Sequence, residues 1–275
     1  MKELAWEVAL HWTGVGLYIL ATILFANAVI FDHPRRLRGA MAAAGVGLLP
    51  HGAAIILRWI ASGHGPYMLK YEVLSSNTWI AIALLLVFLL RRRTWGALAL
   101  VVMPVSILMI AFGLFSNPEI RDLPPTLRSV WLVFHISFAK LSAAAFLLSV
   151  ASAAVLLLKR RGRHGRWLDQ APDEAALDAY TVRFVGFGFL FWTITVVAGA
   201  IWADQSWGRY WGWDLIETWS LITWLCYGTF LHVRFFFKPG PVKTAWAAIG
   251  SMLVFLLTIL ILPFLMPSLH SAYFQ

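Results

Sequence analysis

The chain has 275 residues, 60% of them hydrophobic and 13% charged, whereas a soluble globular domain carries about a quarter charged residues, so that class is excluded. A formal net charge of +9 at pH 7 would suit a nucleic-acid ligand, but the basic residues fall in short clusters between apolar runs, which is a membrane-topology signal instead. The single cysteine, Cys226, rules out an internal disulfide, a CxxC thiol exchanger and a cysteine-ligated zinc site.

A helix needs about 20 apolar residues to cross a bilayer. Stretches near residues 5–31, 39–61, 76–90, 94–114, 129–158, 181–203, 215–237 and 242–266 meet or approach that length, which predicts an all-α integral membrane bundle of about eight transmembrane helices. The third is short and is expected to begin a few residues earlier. The first is long, lacks a basic leader and ends in Asp32-His33-Pro34, so it reads as a span rather than a cleavable signal peptide. No repeat, linker, P-loop or Gly-rich dinucleotide fingerprint interrupts the series, and residues 1–275 read as one polytopic membrane domain. Fifteen of the 22 basic residues fall on one side of these spans: Arg35, Arg36 and Arg38; Arg91 to Arg93; Lys159, Arg160, Arg161, Arg163, Arg166 and Arg183; and Arg234, Lys238 and Lys243. Short basic loops stay cytoplasmic, so both termini and the loop 202–219 are expected to face outward.

That outward loop concentrates the chemistry. Between Trp202 and Trp219 the chain reads WADQSWGRYWGWDLIETW, with five of its fifteen tryptophans where even spreading would put about one. Tryptophan gathers at membrane interfaces, yet this interface is far richer than the other outward loops. Flat aromatic surfaces beside Asp204, Arg209, Asp214 and Glu217 suit a flat, partly charged ligand held at the membrane surface. Arg209 can pair with a ligand carboxylate. Asp214 and Glu217 have the Asp-x-x-Glu spacing of a capping box opening the seventh helix, which would hold Trp211 and Trp213 in fixed directions.

The histidines divide by depth. His33 and His164 fall in basic loops. His135 lies about six residues into the fifth helix, roughly 9 Å below its outer start at about 1.5 Å per residue. His270 follows the eighth helix on the same side. Two histidines from distant parts of the sequence, flanking one aromatic platform, can ligate a haem iron from its two faces. His232 suits the cytoplasmic C-terminus of the seventh helix electrostatically. His51, Arg58 and Lys140 fall within apolar runs, where ionisable groups mark a pathway or cavity. His11 and His64 have no assigned role.

The run Trp207-Gly208-Arg209-Tyr210-Trp211-Gly212-Trp213-Asp214, continuing to Glu217 and Trp219, resembles the "WWD" signature of the haem-handling proteins of cytochrome c assembly. Leu127-Arg128-Ser129 with Trp131-Leu132, His135 and Leu141-Ser142 resembles that family's approach to a first external histidine. Leu269-His270-Ser271 resembles the second, and Tyr227 through Leu231-His232-Val233-Arg234 the segment bearing a membrane-embedded histidine. Gly63-His64-Gly65-Pro66 with Tyr71-Glu72 resembles an earlier outward loop. One departure stands in the motif: Leu215-Ile216 occupies the place of an expected Pro-Lys.

The resemblance implies a cytochrome c synthase (haem lyase) subunit. Haem b would be its substrate, held first at His232 with a ligand from a second membrane protein of the CcsB type. It would then lie against Trp207, Trp211 and Trp213, beside Arg209 and Asp214, with His135 and His270 on the iron. An apocytochrome c bearing CxxCH would be the other substrate, and the location a bacterial inner membrane with the loop in the periplasm, or a thylakoid membrane. Lipid is an implied partner and nucleic acid is not. Two other readings compete: a carrier that hands haem on without forming the covalent bond, and a b-type cytochrome electron-transfer subunit. The latter would pair histidines at membrane depth on both sides.

Overall fold

The computed structural model describes residues 2–31, 33–116, 119–161 and 166–265. Within them the chain is helical throughout, with no strand. The long helices are α1 (Lys2–Ile30), α2 (Pro34–Ser62), α3 (Lys70–Arg91), α4 (Ala99–Leu114, entered through a 3₁₀ segment Arg93–Leu98), α5 (Val130–Arg160), α7 (Glu174–Trp207), α8 (Leu215–Phe236) and α9 (Pro241–Leu256). A short α6 (Arg166–Gln170), which the sequence pattern did not suggest, precedes α7. A π-helical stretch, Leu257–Ile261, leads from α9 into α10 (Leu262–Leu265). Pro263 has no N–H for the carbonyl of Ile259 and its ring crowds that oxygen, which accounts for the π-turn falling there.

Among the described residues, seven stretches are long and apolar enough to cross a membrane: 5–30, 35–62, 70–91, 93–114, 130–160, 174–207 and 241–261. The chain is an integral membrane protein. Eight spans were expected. The helix outside the seven is α8, whose 22 residues include Trp219, Ser220, Thr223, Trp224, Tyr227 and His232, side chains that lower its mean hydropathy without shortening it. The third span begins at Lys70, the few residues before 76 that were expected, and the charge in its first turn, Glu72, is buried against partners. The tryptophan segment 202–219, read as an inter-helix loop, is mostly helix. Trp202 and Trp207 lie in the last turns of α7 and Trp219 in α8, leaving only residues 208–214 outside. Gly208 ends α7 at φ 71°, its N–H on the Asp204 carbonyl at 2.8 Å, the left-handed C-terminal position that glycine fills without strain.

The chain divides into two compact units, Met1–Arg121 with Ala154–Leu177, and Asp122–Ala153 with Asp178–Gln275. In the first unit α1 packs lengthwise on α2, and α3 on α4. Its core buries Glu7, His11, Tyr18, His51, Arg58, His64, Tyr71, Glu72 and Ser75. Ser75 Oγ lies 2.9 Å from both His11 Nε2 and His51 Nε2. The Tyr18 hydroxyl sits 3.0 Å from His51 Nδ1, and His11 Nδ1 3.2 Å from the Glu7 carbonyl. With both imidazoles neutral, one assignment satisfies every step: Tyr18 donates to His51, His51 to Ser75, Ser75 to His11, and His11 to the Glu7 carbonyl. Arg58 donates to Glu72 Oε1 at 3.0 Å and to the Glu119 carbonyl at 2.8 Å, and lies 3.8 Å from Glu7 Oε2. Glu72 Oε2 accepts from Met68 N at 3.0 Å and Leu69 N at 3.3 Å, so the carboxylate that pairs with Arg58 also caps α3.

In the second unit α5 and α7 are joined by a ladder of side-chain to backbone hydrogen bonds at a seven-residue interval. His135 donates to Thr195 O at 2.9 Å, Ser142 to Gly188 O at 2.9 Å, and Ser149 to Thr181 O at 3.0 Å. Three donors on one stripe of α5 meet carbonyls on one stripe of α7, the heptad geometry of an antiparallel pair. Glycines allow the close approach. A Cβ at Gly188 would collide with the Phe146 ring, and one at Gly199 would lie 2.6 Å from His135 Nδ1. Phe146 in turn stacks on Tyr227 of α8 at 3.7 Å between centroids.

Candidate functional site

His135 is the outermost rung of that ladder, which sets its chemistry. Nδ1 carries the proton donated to Thr195 O, so Nε2 holds the lone pair, the arrangement in which a backbone acceptor orients an imidazole for a metal. The ring is half-buried and stacks on Trp202 at 6.3 Å and 27°. Trp202 is buried and in turn meets Trp207 edge to face at 4.9 Å.

His135 opens into a pocket of about 170 Å³. The other walls come from α7 (Trp192, Thr195 and Gly199), from the turn and start of α8 (Tyr210, Trp211 and Glu217) and from the π-turn (Thr258 and Ile259). The lining is mostly apolar with a few convergent polar groups, the usual make-up of a small-molecule site. Among the described residues no three His, Cys, Asp or Glu side chains cluster as a metal cage. A metal that brings its own macrocycle needs only one or two protein donors.

The turn between α7 and α8 is held by its own backbone. Asp214 accepts from Ile216 N at 3.3 Å, and Glu217 Oε2 accepts from Asp214 N at 3.1 Å and Gly212 N at 2.7 Å. This is the capping box that the Asp-x-x-Glu spacing implies, extended by one further bond to Gly212. Trp213 lies in left-handed backbone at φ 57°, a conformation a bulky residue adopts only where its surroundings impose it. Its indole is 70% exposed and stands edge to face against Trp211 at 5.9 Å and 87°. The Arg209 guanidinium lies where a Cβ on residue 212 would be, so Gly212 lets it fold across the turn.

The expected site residues therefore separate. His135 and Trp211 meet in the pocket. Trp207 supports it through Trp202, Asp214 through the cap, and Trp213 and Arg209 stand on its exposed rim. His232 is exposed near the other end of α8, stacked on Phe236 at 4.5 Å. The separation of 15 positions from Glu217 to His232 spans about 22 Å along α8. His270 lies outside the described residues. Sequence reasoning missed Gly199, Thr195 and Thr258 as walls of the site. The small-residue run Ala198-Gly199-Ala200 on a long apolar helix was the signal for close helix contact.

The structure is that of a multi-helix membrane protein in which an oriented histidine and a capped tryptophan turn line one mostly apolar pocket. The chain belongs to the cytochrome c assembly protein family, whose model matches residues 67–271, and within it to the CcsA group. It is 34% identical to the cytochrome c biogenesis protein CcsA of Synechococcus sp. (strain CC9902), over 81% of this chain and 83% of that protein. It is 35% identical to the CcsA of Chlamydomonas reinhardtii over 66% of this chain, an alignment that spans about half (53%) of that relative's length. Among solved structures, the cytochrome c haem lyase CcmF superposes with a TM-score of 0.71 at 17% identity, covering 94% of this chain and 46% of CcmF, a likeness of fold.

Proposed function

We propose that this protein acts in cytochrome c biogenesis as the haem-presenting subunit of a cytochrome c synthase, and that the pocket under the tryptophan turn is where haem is offered to apocytochrome c. One observation carries the reading: His135, with its tautomer set by Thr195, and Trp211, on a capped and rigid turn, line one pocket. The family membership says what such a pocket is for. In this reading α8 is an eighth span, the chain forms a single polytopic membrane domain, both termini and the tryptophan turn face outward, and the membrane is a bacterial inner membrane or a thylakoid membrane.

Haem b is substrate here, not resident cofactor. His135 supplies one axial ligand from Nε2 and His270 the other. Trp207, Trp211 and Trp213 bound the ring edge, Arg209 on the exposed rim meets a propionate, and Asp214 keeps the turn in shape. Before that, haem is held on the membrane-embedded side at His232. That imidazole is exposed among Val233, Phe235, Phe236 and Phe237, an arrangement that suits a second ligand from a CcsB-type partner. The second substrate is a CxxCH segment whose thiols add to the haem vinyl groups. The protein's contribution is positioning and control of the iron through its ligands.

The test uses bacterial cells lacking their own cytochrome c maturation system, expressing this chain with a CcsB-type partner and a secreted CxxCH reporter. Covalent haem on the reporter, lost in His135→Ala and His270→Ala at unchanged protein level, is the expected result. A purified chain that holds bis-histidine haem but leaves the reporter unmodified would make it a haem carrier instead.

A further inference from the structure

The two oxygens of the Glu217 carboxylate have different surroundings. Oε2 is fully engaged by the Gly212 and Asp214 N–H groups. Oε1 is buried and has no hydrogen-bond partner among the described residues. The residue is 7% exposed and lines the same pocket as His135, Tyr210 and Trp211. Its Oε2 contacts fix the carboxylate rigidly, so Oε1 cannot turn away to water. Leaving a buried acceptor unpaired costs about 1–3 kcal/mol, more for a charged group; in a residue that lines a pocket, a donor that arrives with a ligand would account for it.

The chemistry of the two substrates decides which one brings that donor. The haem ring offers none: its nitrogens are on the iron, its vinyl and methyl groups are apolar, and its propionates are acceptors. A CxxCH segment brings thiol S–H groups. We propose, resting on the synthase reading above, that Glu217 is a catalytic residue whose Oε1 accepts the proton of the apocytochrome thiol as sulfur bonds to the haem vinyl group. The step is balanced. The S–H bond breaks and its proton passes to Oε1, the sulfur forms a bond to the vinyl α-carbon, and the β-carbon takes the proton back from Glu217. The carbon–carbon double bond becomes single, S–H has added across it, and no electron is gained or lost. The pocket thus holds both reactants: His135 acts on the iron, and Glu217 on the incoming sulfur.

Glu217→Gln separates this role from capping. The amide oxygen can accept from both backbone N–H groups, so the turn stays formed, while an NH₂ donor replaces the acceptor on the pocket side. The full chain, purified with its CcsB-type partner and loaded with haem, is mixed with a synthetic CxxCH peptide, and conversion of vinyl to thioether is followed by the haemochrome spectrum. The expected result is an unchanged bis-histidine spectrum in Glu217→Gln with a thioether rate lower by about 100-fold, the usual worth of a positioned proton acceptor, and partial recovery in Glu217→Asp. A Glu217→Gln protein that converts peptide at the wild-type rate overturns the inference, as does one that no longer holds haem, which would make Glu217 a structural residue of the pocket. Wild type that holds haem and forms no thioether overturns the synthase reading itself, and the role of Glu217 with it.

Discussion

The two units bury ionisable side chains in apolar helices, and they do so to opposite ends. In the first unit His11, His51, Ser75 and Tyr18 satisfy one another, while Arg58 sits between Glu7 and Glu72. Each group is spent on its neighbours, apart from Glu7 Oε1, which has no partner among the described residues. In the second unit His135 donates to α7 from Nδ1 while Glu217 engages its turn through Oε2 and leaves Oε1 unpartnered among the described residues, and both residues line one pocket. Burial of a charge in a membrane helix is a sign of function by default. The contrast shows that the partner inventory, more than burial, tells a structural cluster from a site.

Substitutions can break that contrast. Arg58→Met leaves Glu7 and Glu72 buried without their cation, and removing one partner of a buried ion pair costs about 3–5 kcal/mol. The expected result is a steep fall in membrane accumulation and in melting temperature in detergent, recovered by combining it with Glu7→Gln and Glu72→Gln. Normal accumulation of the single variant would show that the first unit does not depend on its ion cluster.

Gly199→Ala probes the second unit. Its methyl would lie 2.6 Å from His135 Nδ1, so the ring must leave Thr195. Losing such an orienting bond costs about 10–100-fold in metal affinity, read here by haem titration, while accumulation in the membrane stays near wild type. Unaltered haem binding would detach His135 from the site.

Smaller effects sharpen the role of the turn. Asp214→Ala removes the cap of α8 and should cost about 1 kcal/mol of stability in thermal denaturation, with Asp214→Asn close to wild type. Smallest of all is the stability change at Trp213. Trp213→Gly relieves a left-handed backbone and should be more stable than Trp213→Ala by about 1 kcal/mol, yet under the proposed function, in which the exposed indole meets haem, both should lose reporter haem alike. Full activity in the glycine variant would assign Trp213 to turn geometry alone.

What could be read without the structure was local. Run lengths of apolar residues located the long helices, the Asp-x-x-Glu spacing located the start of α8, and the density of tryptophan located the turn, since each depends on residues a few positions apart. The early start of α3 was legible too, but not what holds its first-turn charge: Glu72 pairs with Arg58, 14 residues upstream. The contacts that make a site or a cluster were out of reach for the same reason on a larger scale. Ser75 meets His11 across 64 residues, and His135 meets Thr195 across 60. Apolar periodicity specifies that a helix is buried but leaves open which stripe faces which neighbour. Sequence alone therefore determined that this is a helical membrane protein with a tryptophan turn. The packing of α5 on α7, made close by Gly188 and Gly199, decided that His135 lines the pocket with Nδ1 on the Thr195 carbonyl, and the fold of the turn decided that Glu217 Oε1 is buried without a hydrogen-bond partner among the described residues.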